Sequence, residues 1–255
     1  MSNIRIGTFN TKDNRINSNG GLRKDGTNNA ELVSNMIKEK EFDLLGTQEL
    51  TIKYVNELAL RLPNYKFYGS YRFGNLLTAM PCNENNQIIT NRNVLEHKTI
   101  HLPWIANKFP DLIKSITKFS IMPRIATIVI SEDEEHRKVC MINTHLDYQI
   151  PSIQVRQLEA IKGLVQKYGQ QYNVILTGDF NMELGDKKFD SFVTDVKDVL
   201  QHVDVQGSTW HGKNGEETTV DHIFVPKDWK IEDAGIIDSM GTSDHDGLFV
   251  DVKER

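Results

Sequence analysis

The segment Gly241–Val252 reads GTSDHDGLFVDV, and it joins a run of titratable residues to an apolar segment. Asp244, His245 and Asp246 are consecutive, and a glycine lies on either side of the cluster. The apolar residues 248–250 that follow are typical of a strand entering a hydrophobic core. The pattern therefore predicts that a core strand anchors charged side chains at its beginning, where they can serve a site.

Six further segments are predicted as strands because they alternate or are rich in β-branched residues. They are residues 4–9, 42–47, 125–130, 139–143, 174–177 and 220–225. Four of these runs end next to polar residues that can do chemistry, namely Asn10, Glu49, His145 and Asp179. Loops at strand ends are where α/β folds tend to place sites, although they are also polar merely because they face water.

Two segments between these strands have helical periodicity. Their apolar spacing predicts one helix capped by Asn29 and another that runs from Pro151 to a terminating glycine, Gly169. Segments 125–130 and 139–145 are expected to pair as antiparallel neighbours. This mixture favours an α/β fold with helices covering the sheets over a purely parallel, doubly wound sheet.

Composition limits the class of protein. The 255 residues are 38% hydrophobic and 25% charged, with a net charge of −5, and no repeat or linker divides them, so we expect one domain over 1–255. Cys82 and Cys140 lie in dissimilar contexts, which argues against a zinc site or a disulfide framework. The N-terminus has no long apolar run, so we expect a monomeric, cytoplasmic protein with no membrane span. At this net charge, binding to nucleic acid would depend on a local basic patch.

Six short motifs occur in one order along the chain. They are TFN (8–10), TQE (47–49), NTHLD (143–147), TGDFN (177–181), VDHIFV (220–225) and SDHDGLF (243–249). Together they resemble the endonuclease/exonuclease/phosphatase superfamily, the metal-dependent phosphoesterases that include pancreatic deoxyribonuclease. The resemblance extends from residue 4 to about residue 252. It implies a four-layer α/β sandwich, in which two mixed β-sheets pack face to face with helices on the outside.

The residue types suit phosphoester hydrolysis, which requires charge neutralisation at the phosphate, an activated water and a stabilised leaving oxygen. By resemblance, Glu49 is the principal metal ligand, with Asn10 beside it and Asp244 near the metal. Carboxylate oxygens suit Mg²⁺, with Mn²⁺ as a substitute. Asp179 resembles the carboxylate that orients or deprotonates the attacking water, and Asn181 resembles the amide that steadies Asp179 or the phosphate.

The remaining motif residues resemble groups that act on the phosphate. His245 resembles the histidine at the scissile phosphate, and Asp221 resembles the carboxylate that pairs with this histidine. Arg124 and His145 match an arginine and a second histidine of the deoxyribonuclease- and phosphodiesterase-like branches. Lys12 stands where the abasic-site endonuclease branch has an acidic residue, which argues against abasic-site repair. The predicted phosphate contacts are therefore Asn10, Arg124, Asn181 and His245.

Other polar and aromatic residues receive structural interpretations. Asp246 and Asp251 are interpreted as solvated, and Trp210 as a core aromatic rather than a residue at the rim of the site. Asn86 is a candidate substrate contact or supporting residue. Five histidines are interpreted as structural: His97, His101, His136, His202 and His222. By strand alternation, His222 is expected to face away from Asp221. A specificity pocket would be built from loops 11–27, 71–83 and 104–122, whose substrate the motifs do not specify.

The leading expectation is a Mg²⁺-dependent hydrolase of phosphoester bonds, acting as a phosphodiesterase or nuclease through an activated water. Its substrate would be a nucleic acid, a nucleotide or a phosphorylated head group. The alternatives are a phosphomonoesterase for a phospholipid or inositol phosphate head group, a non-catalytic phosphate-binding module, and a nucleic-acid-binding protein whose hydrolysis is incidental.

Overall fold

A computed structural model describes residues 3–12, 26–74, 83–104 and 122–254. Within these residues the strands form two six-stranded sheets and one two-stranded hairpin. The bounds, in chain order, are β1 (Asn3–Asn10), α1 (Asn29–Lys40), β2 (Leu44–Gln48), α2 (Ile52–Arg61), β3 (Lys66–Tyr68), β4 (Ile88–Thr90), β5 (Asn93–His101), β6 (Ile125–Glu132), β7 (Lys138–His145), α3 (Pro151–Tyr168), β8 (Asn173–Asp179), α4 (Lys187–Val196), β9 (Leu200–His202), β10 (Trp210–His211), β11 (Glu217–Thr218), β12 (Asp221–Pro226), β13 (Lys230–Ile237) and β14 (Gly247–Lys253).

Both large sheets are mixed. The first has the order β13-β14-β1-β2-β4-β3, and the second has the order β5-β6-β7-β8-β12-β9. In the first sheet β1 runs parallel to β2 and antiparallel to β14. In the second sheet β7 runs parallel to β8 and antiparallel to β6, so the expected antiparallel pairing of segments 125–130 and 139–145 is confirmed.

Three apolar clusters divide the molecule into layers. The cluster between the two sheets includes Ile6 and Val250 from the first sheet and Met141 and Ile175 from the second. A second cluster packs α3 and α4 on the outer face of the second sheet, and a third packs α1 and α2 on the first. The order helices, sheet, sheet, helices confirms the predicted four-layer α/β sandwich.

The boundaries of α1 and α3 agree with those predicted from the sequence, except that the N-terminal cap of α1 is shifted by one residue. Asn28, rather than Asn29, caps α1, because its side chain accepts hydrogen bonds from the backbone N–H groups of Ala30 and Glu31. Asn29 is buried instead, and its Nδ2 donates to the carbonyl of Thr242. Helix α3 begins at Pro151, where the missing N–H costs no hydrogen bond, and Gly169 is its C-terminal cap.

The two sheets approach closely beneath the ends of the strands that carry the motifs. Asn143 lies between them, and its Nδ2 donates to the carbonyls of Thr47 and Gln87 while its Oδ1 accepts from Gln48 Nε2. A Cβ atom at Gly46 would lie 2.4 Å from Thr177 Oγ1 and 2.6 Å from Asn143 Oδ1, so only glycine fits this position. This polar contact fixes the distance between the sheets next to the candidate site.

The described helices include none that is both long and apolar enough to span a bilayer. Most of the predicted specificity loops, at 13–25, 75–82 and 105–121, lie outside the described residues, as does Cys82.

Candidate active site

Strand register brings most of the predicted residues together at one end of the sandwich. In the second sheet, His145 pairs with Asp179 across β7 and β8, and Asp179 pairs with Asp221 across β8 and β12. In the first sheet, Asn10 ends β1 and lies beside Gln48, so that Glu49 follows directly. The site is therefore built from facing strand ends of two sheets.

Asp179 is the centre of this group and is fully buried. Its Oδ2 accepts a hydrogen bond of 2.9 Å from Asn10 Nδ2, which also donates to Glu49 Oε1 at 3.2 Å. Its Oδ1 accepts a hydrogen bond of 2.9 Å from the backbone N–H of Asn181, which has a left-handed φ of 52°. The side chain of Asn181 donates to the carbonyl of Leu146. Asn10 thus holds two carboxylates from different sheets, and Asn181 steadies Asp179 through its backbone.

Asp221 and His245 form a buried dyad beside Asp179. His245 Nδ1 donates to Asp221 Oδ2 at 2.8 Å, and His245 Nε2 lies 3.8 Å from Asp179 Oδ2. His145 Nε2 approaches the same Asp179 oxygen at 3.5 Å. The hydrogen bond to Asp221 fixes the orientation of the His245 ring, so that its Nε2 faces the centre of the site.

Burial and neighbouring charges give the two histidines opposite character. Burial of the His245 ring acts to lower its pKa, but the charge and hydrogen bond of Asp221 outweigh this effect and raise the pKa of His245 to about 10. Burial, together with the positive charges of Arg124 and Arg72, holds the pKa of His145 well below its usual range. His245 is therefore a cation at neutral pH, whereas His145 is a neutral ring.

Asp179 also has an unusual environment. Burial and the nearby carboxylate of Asp221 raise the pKa of Asp179 to about 7, against the opposing effects of His245 and Asn10. A carboxylate whose pKa is near neutrality accepts a proton more readily than an exposed one. The arrangement thus supplies a proton acceptor next to a cationic proton donor.

Arg124 lies beside His145 in a small pocket. Its side chain is 5% exposed, and its Nε has no hydrogen-bond partner among the described residues. The same pocket is lined by Asn86, which donates to the carbonyl of Ile125, and by Arg72, whose guanidinium pairs with Glu84 at 3.0 Å. A buried guanidinium without a carboxylate partner in the described part of the chain is a strong attractor for an anion. No sequence motif pointed to Arg72, which reaches the pocket only through the fold.

The SDHD segment is tied to the end of β1. Ser243 Oγ donates to the carbonyl of Asn10 at 2.7 Å, and the backbone N–H of His245 donates to Ser243 Oγ. The carboxylate of Asp244 forms an ion pair with the ammonium of Lys12. The C-terminal segment Gly241–Val252 therefore delivers Asp244 and His245 to the site, and Lys12 belongs to the same cluster.

Three structural interpretations were wrong. Asp246 is not solvated, because it accepts a hydrogen bond from the Ser239 N–H and contacts His211 Nε2 at 3.0 Å. Asp251 pairs with Arg5 at 2.6 Å because the register of β1 and β14 sets the two residues opposite each other. Trp210 is not a core aromatic, because it is half-buried and lies outside the three core clusters. Its backbone pairs with that of His245, which places Trp210 at the edge of the site.

His222 faces away from the site, as predicted. Its ring packs against Phe180 and Phe189, its Nε2 donates to the carbonyl of Met182, and its Nδ1 contacts His202 Nε2 at 3.0 Å. Burial, with a smaller effect of His202, lowers the pKa of His222 to about 3. This neutral ring anchors β12, the strand that carries Asp221.

The donors in the site fit a hard divalent ion. The carboxylates of Glu49 and Asp179 both accept hydrogen bonds from Asn10 Nδ2, so they lie close together. Asp221 Oδ1 is buried without a hydrogen-bond partner among the described residues. Ligand atoms of Asp179, Asp221 and His245 lie within 4.8 Å of one another, and with His245 protonated the two aspartates supply the oxygens available to a metal ion. Oxygen-rich donor sets of this kind suit Mg²⁺ and Mn²⁺. The separate ligand set of Glu49, Asn10 and Asp244 stays a prediction.

Comparison with known proteins identifies one matching family and several solved structures with a similar fold. The model of the endonuclease/exonuclease/phosphatase family matches residues 16–245. An endonuclease/exonuclease/phosphatase from Bacteroides vulgatus is 21% identical, with a TM-score of 0.79 over 100% of both chains. The mannosyl-6-phosphatase of Bacteroides thetaiotaomicron is 20% identical, with a TM-score of 0.79 over 98% of this chain and 100% of its own. D. rerio TDP2, in complex with a single-strand DNA product, is 16% identical, with a TM-score of 0.76 over 100% of both chains. No curated protein matches the sequence.

These structural likenesses show the fold alone, because the identities are low. The family model covers most of the chain and includes four complete motifs, from TQE to VDHIFV, and the Ser243, Asp244 and His245 of SDHDGLF. The chain belongs to the endonuclease/exonuclease/phosphatase family.

Proposed function

We propose that the protein is a Mg²⁺-dependent phosphoesterase that cleaves phosphodiester bonds by in-line attack of a water molecule. The observation that carries this proposal is the convergence on Asp179 of Asn10, His145 and the His245–Asp221 dyad. Asp179 supplies a buried carboxylate, His245 a cationic imidazole and His145 a neutral imidazole, and all three face one small volume. These groups match the needs of phosphoester hydrolysis.

Asp179 would activate the water. Its Oδ1 is held by the Asn181 N–H, so its Oδ2 is the oxygen that faces the other groups of the site. Because its pKa is raised by burial and by Asp221, Asp179 would take a proton from an attacking water at neutral pH. The hydrogen bond from Asn10 fixes the direction in which this oxygen points.

The phosphate would be bound by groups on the other side of that oxygen. His245, held as a cation by Asp221, would donate from Nε2 to a phosphate oxygen as negative charge develops. Arg124 would neutralise a second oxygen. As the water oxygen bonds to phosphorus, the bond to the leaving oxygen breaks, and the neutral ring of His145 would donate a hydrogen bond to that leaving oxygen without adding a full charge. When bound at the predicted ligands Glu49, Asn10 and Asp244, a divalent ion would supply further positive charge to the phosphate oxygens.

A phosphomonoesterase is the second candidate function. Two buried arginines lie beside His145, and because Arg72 is paired with Glu84, Arg124 supplies the net positive charge that would bind the dianion of a monoester. The structural similarity to a mannosyl-6-phosphatase points to the same class. The similarity to TDP2 with bound DNA product points to the first class, a nucleic-acid diester or end group.

Hydrolysis of two generic esters separates these candidates. Bis-p-nitrophenyl phosphate and p-nitrophenyl phosphate would be assayed with Mg²⁺, with Mn²⁺ and with EDTA, for the wild type and for Glu49→Gln. The proposal predicts diester cleavage that EDTA abolishes and that Glu49→Gln lowers by about 100-fold or more, the scale of losing a metal ligand. Cleavage of the monoester alone would replace it with the second candidate. Diester cleavage that is unchanged in EDTA would contradict the metal-dependent mechanism.

A further inference from the structure

Lys12 is a basic residue fixed on a predicted metal ligand. Its backbone has a left-handed φ of 49°, and its N–H donates to Asn10 Oδ1 at 3.0 Å. The side chain then reaches the carboxylate of Asp244, with which it forms an ion pair. A left-handed lysine costs some backbone strain, so this conformation is held in place by its surroundings rather than by local preference.

Asp244 is held at the same place from the other direction. Its carbonyl accepts a hydrogen bond from the His211 N–H at 2.9 Å, and the neighbouring Ser243 donates to the Asn10 carbonyl. Asn10 itself binds Glu49, so Lys12 and Asp244 are connected to Glu49 through one residue. The lysine therefore lies within the cluster that would bind the divalent ion.

The ion pair between Lys12 and Asp244 reduces the negative charge that can attract a metal ion to the site. The carboxylates of Glu49, Asp179, Asp221 and Asp244 share one end of the sandwich, and a cation is attracted to them in proportion to their uncompensated charge. The Asp221 charge is taken up by His245, and the Asp244 charge is taken up by Lys12. Each fixed cation lowers the charge that remains to attract a metal.

We propose that Lys12 competes with divalent ions for Asp244, so that this ion pair weakens the binding of a divalent ion at the site. The proposal rests on the proposed function, because it concerns the same metal site. The abasic-site endonuclease branch differs, since the acidic residue that it has at this position would attract cations rather than repel them. With side-chain exposures of 43% for Lys12 and 29% for Asp244, the pair is accessible enough to open when an ion arrives.

Binding of Mn²⁺ to the metal-free protein tests the proposal without requiring activity. Free Mn²⁺ would be followed by electron paramagnetic resonance during titration of the wild type, Lys12→Gln, Lys12→Arg and Lys227→Gln. The exposed Lys227 lies at the far end of β12, so its variant matches the loss of net charge without touching the site. Thermal unfolding of each variant without metal confirms that it is folded.

The wild type is expected to bind Mn²⁺, and Lys12→Gln to bind it about tenfold more tightly, since solvent at this half-exposed position screens the full Coulomb effect of a unit charge. Lys12→Arg should resemble the wild type, and so should Lys227→Gln. Equal Mn²⁺ affinity for Lys12→Gln and Lys227→Gln would overturn the proposal, as would weaker binding by Lys12→Gln.

Glu49→Gln separates this proposal from the metal site on which it rests. If Mn²⁺ binds the wild type and Glu49→Gln equally well, the predicted metal site is wrong. If Glu49→Gln abolishes binding while Lys12→Gln leaves it unchanged, the metal site stands and the role of Lys12 is wrong. Absence of Mn²⁺ binding to the wild type and to Lys12→Gln would overturn both.

Discussion

Lowering the pH from 7 to 5 should destabilise the protein through His222, a residue outside the catalytic group. The ring is buried, its Nε2 donates to the Met182 carbonyl, and its Nδ1 accepts from His202, so a second proton would have no acceptor. The pKa is therefore lowered from 6.5 to about 3 in the folded state. The unfolded chain takes up this proton below pH 6.5, whereas the folded chain does not.

The magnitude follows from proton linkage. Stability from the depressed pKa is complete above pH 6.5 and is lost as the pH falls towards 3, because only the unfolded state gains the proton. Between pH 7 and pH 5 the loss from this one group is about 2 kcal/mol. His202, whose pKa is lowered by burial, adds a loss in the same direction.

Urea unfolding at pH 7 and pH 5, with EDTA present, measures this effect. Carboxylates titrate in the wild type and in His222→Gln alike. The relevant quantity is therefore the difference between these two proteins in how the free energy of unfolding depends on pH. Glutamine can still donate to the Met182 carbonyl but cannot titrate, so the variant should lose about 2 kcal/mol less on acidification. His202→Gln provides a second variant, and it should also flatten the dependence. An unchanged pH dependence in both variants would refute the account of this buried pair.

Three further predictions concern the site and its support. Asp221→Asn should lower kcat by about 10³-fold, because the His245 ring loses its charged partner, while KM changes little; a change in KM alone would contradict the assigned role. Gly46→Ala should lower the free energy of unfolding by about 3 kcal/mol, because its Cβ would overlap Thr177, and a shift in the urea midpoint of less than a third of this would show that the sheets can separate there. Arg124→Gln should lower kcat/KM for the diester by about 100-fold, since a charged hydrogen bond to the phosphate is lost, and an unaffected rate would remove Arg124 from the phosphate site.

Sequence reasoning could reach much of the fold because it depends on local patterns. The strand that ends in Asp179 and the strand that begins after His245 were each visible as apolar runs next to titratable residues. Family resemblance then supplied the four-layer arrangement, which local periodicity could not. The shift of the helix cap from Asn29 to Asn28 is the kind of one-residue error expected at element ends.

The contacts that sequence reasoning missed depend on register between distant strands. Asp251 faces Arg5 only because β1 pairs with β14 in one register, and both residues would read as solvated surface charges in isolation. Arg72 and Arg124 line the same pocket although they are far apart in the chain. Lys12 was recognised as a departure from one family branch, but its partner Asp244 lies 232 positions away. Motifs identify which residues are chemical, whereas the fold decides which of them meet.

The most direct test of the central claim compares two aspartate substitutions in one assay. The rate of bis-p-nitrophenyl phosphate hydrolysis with saturating Mg²⁺ would be measured for the wild type, Asp179→Asn and Asp198→Asn, where Asp198 is an exposed aspartate outside the site. Asp179→Asn is expected to keep its fold and to lose about 10³-fold or more in kcat, because the water loses its proton acceptor, while Asp198→Asn retains the wild-type rate. A folded Asp179→Asn variant with the wild-type rate would show that Asp179 is not the proton acceptor for the attacking water.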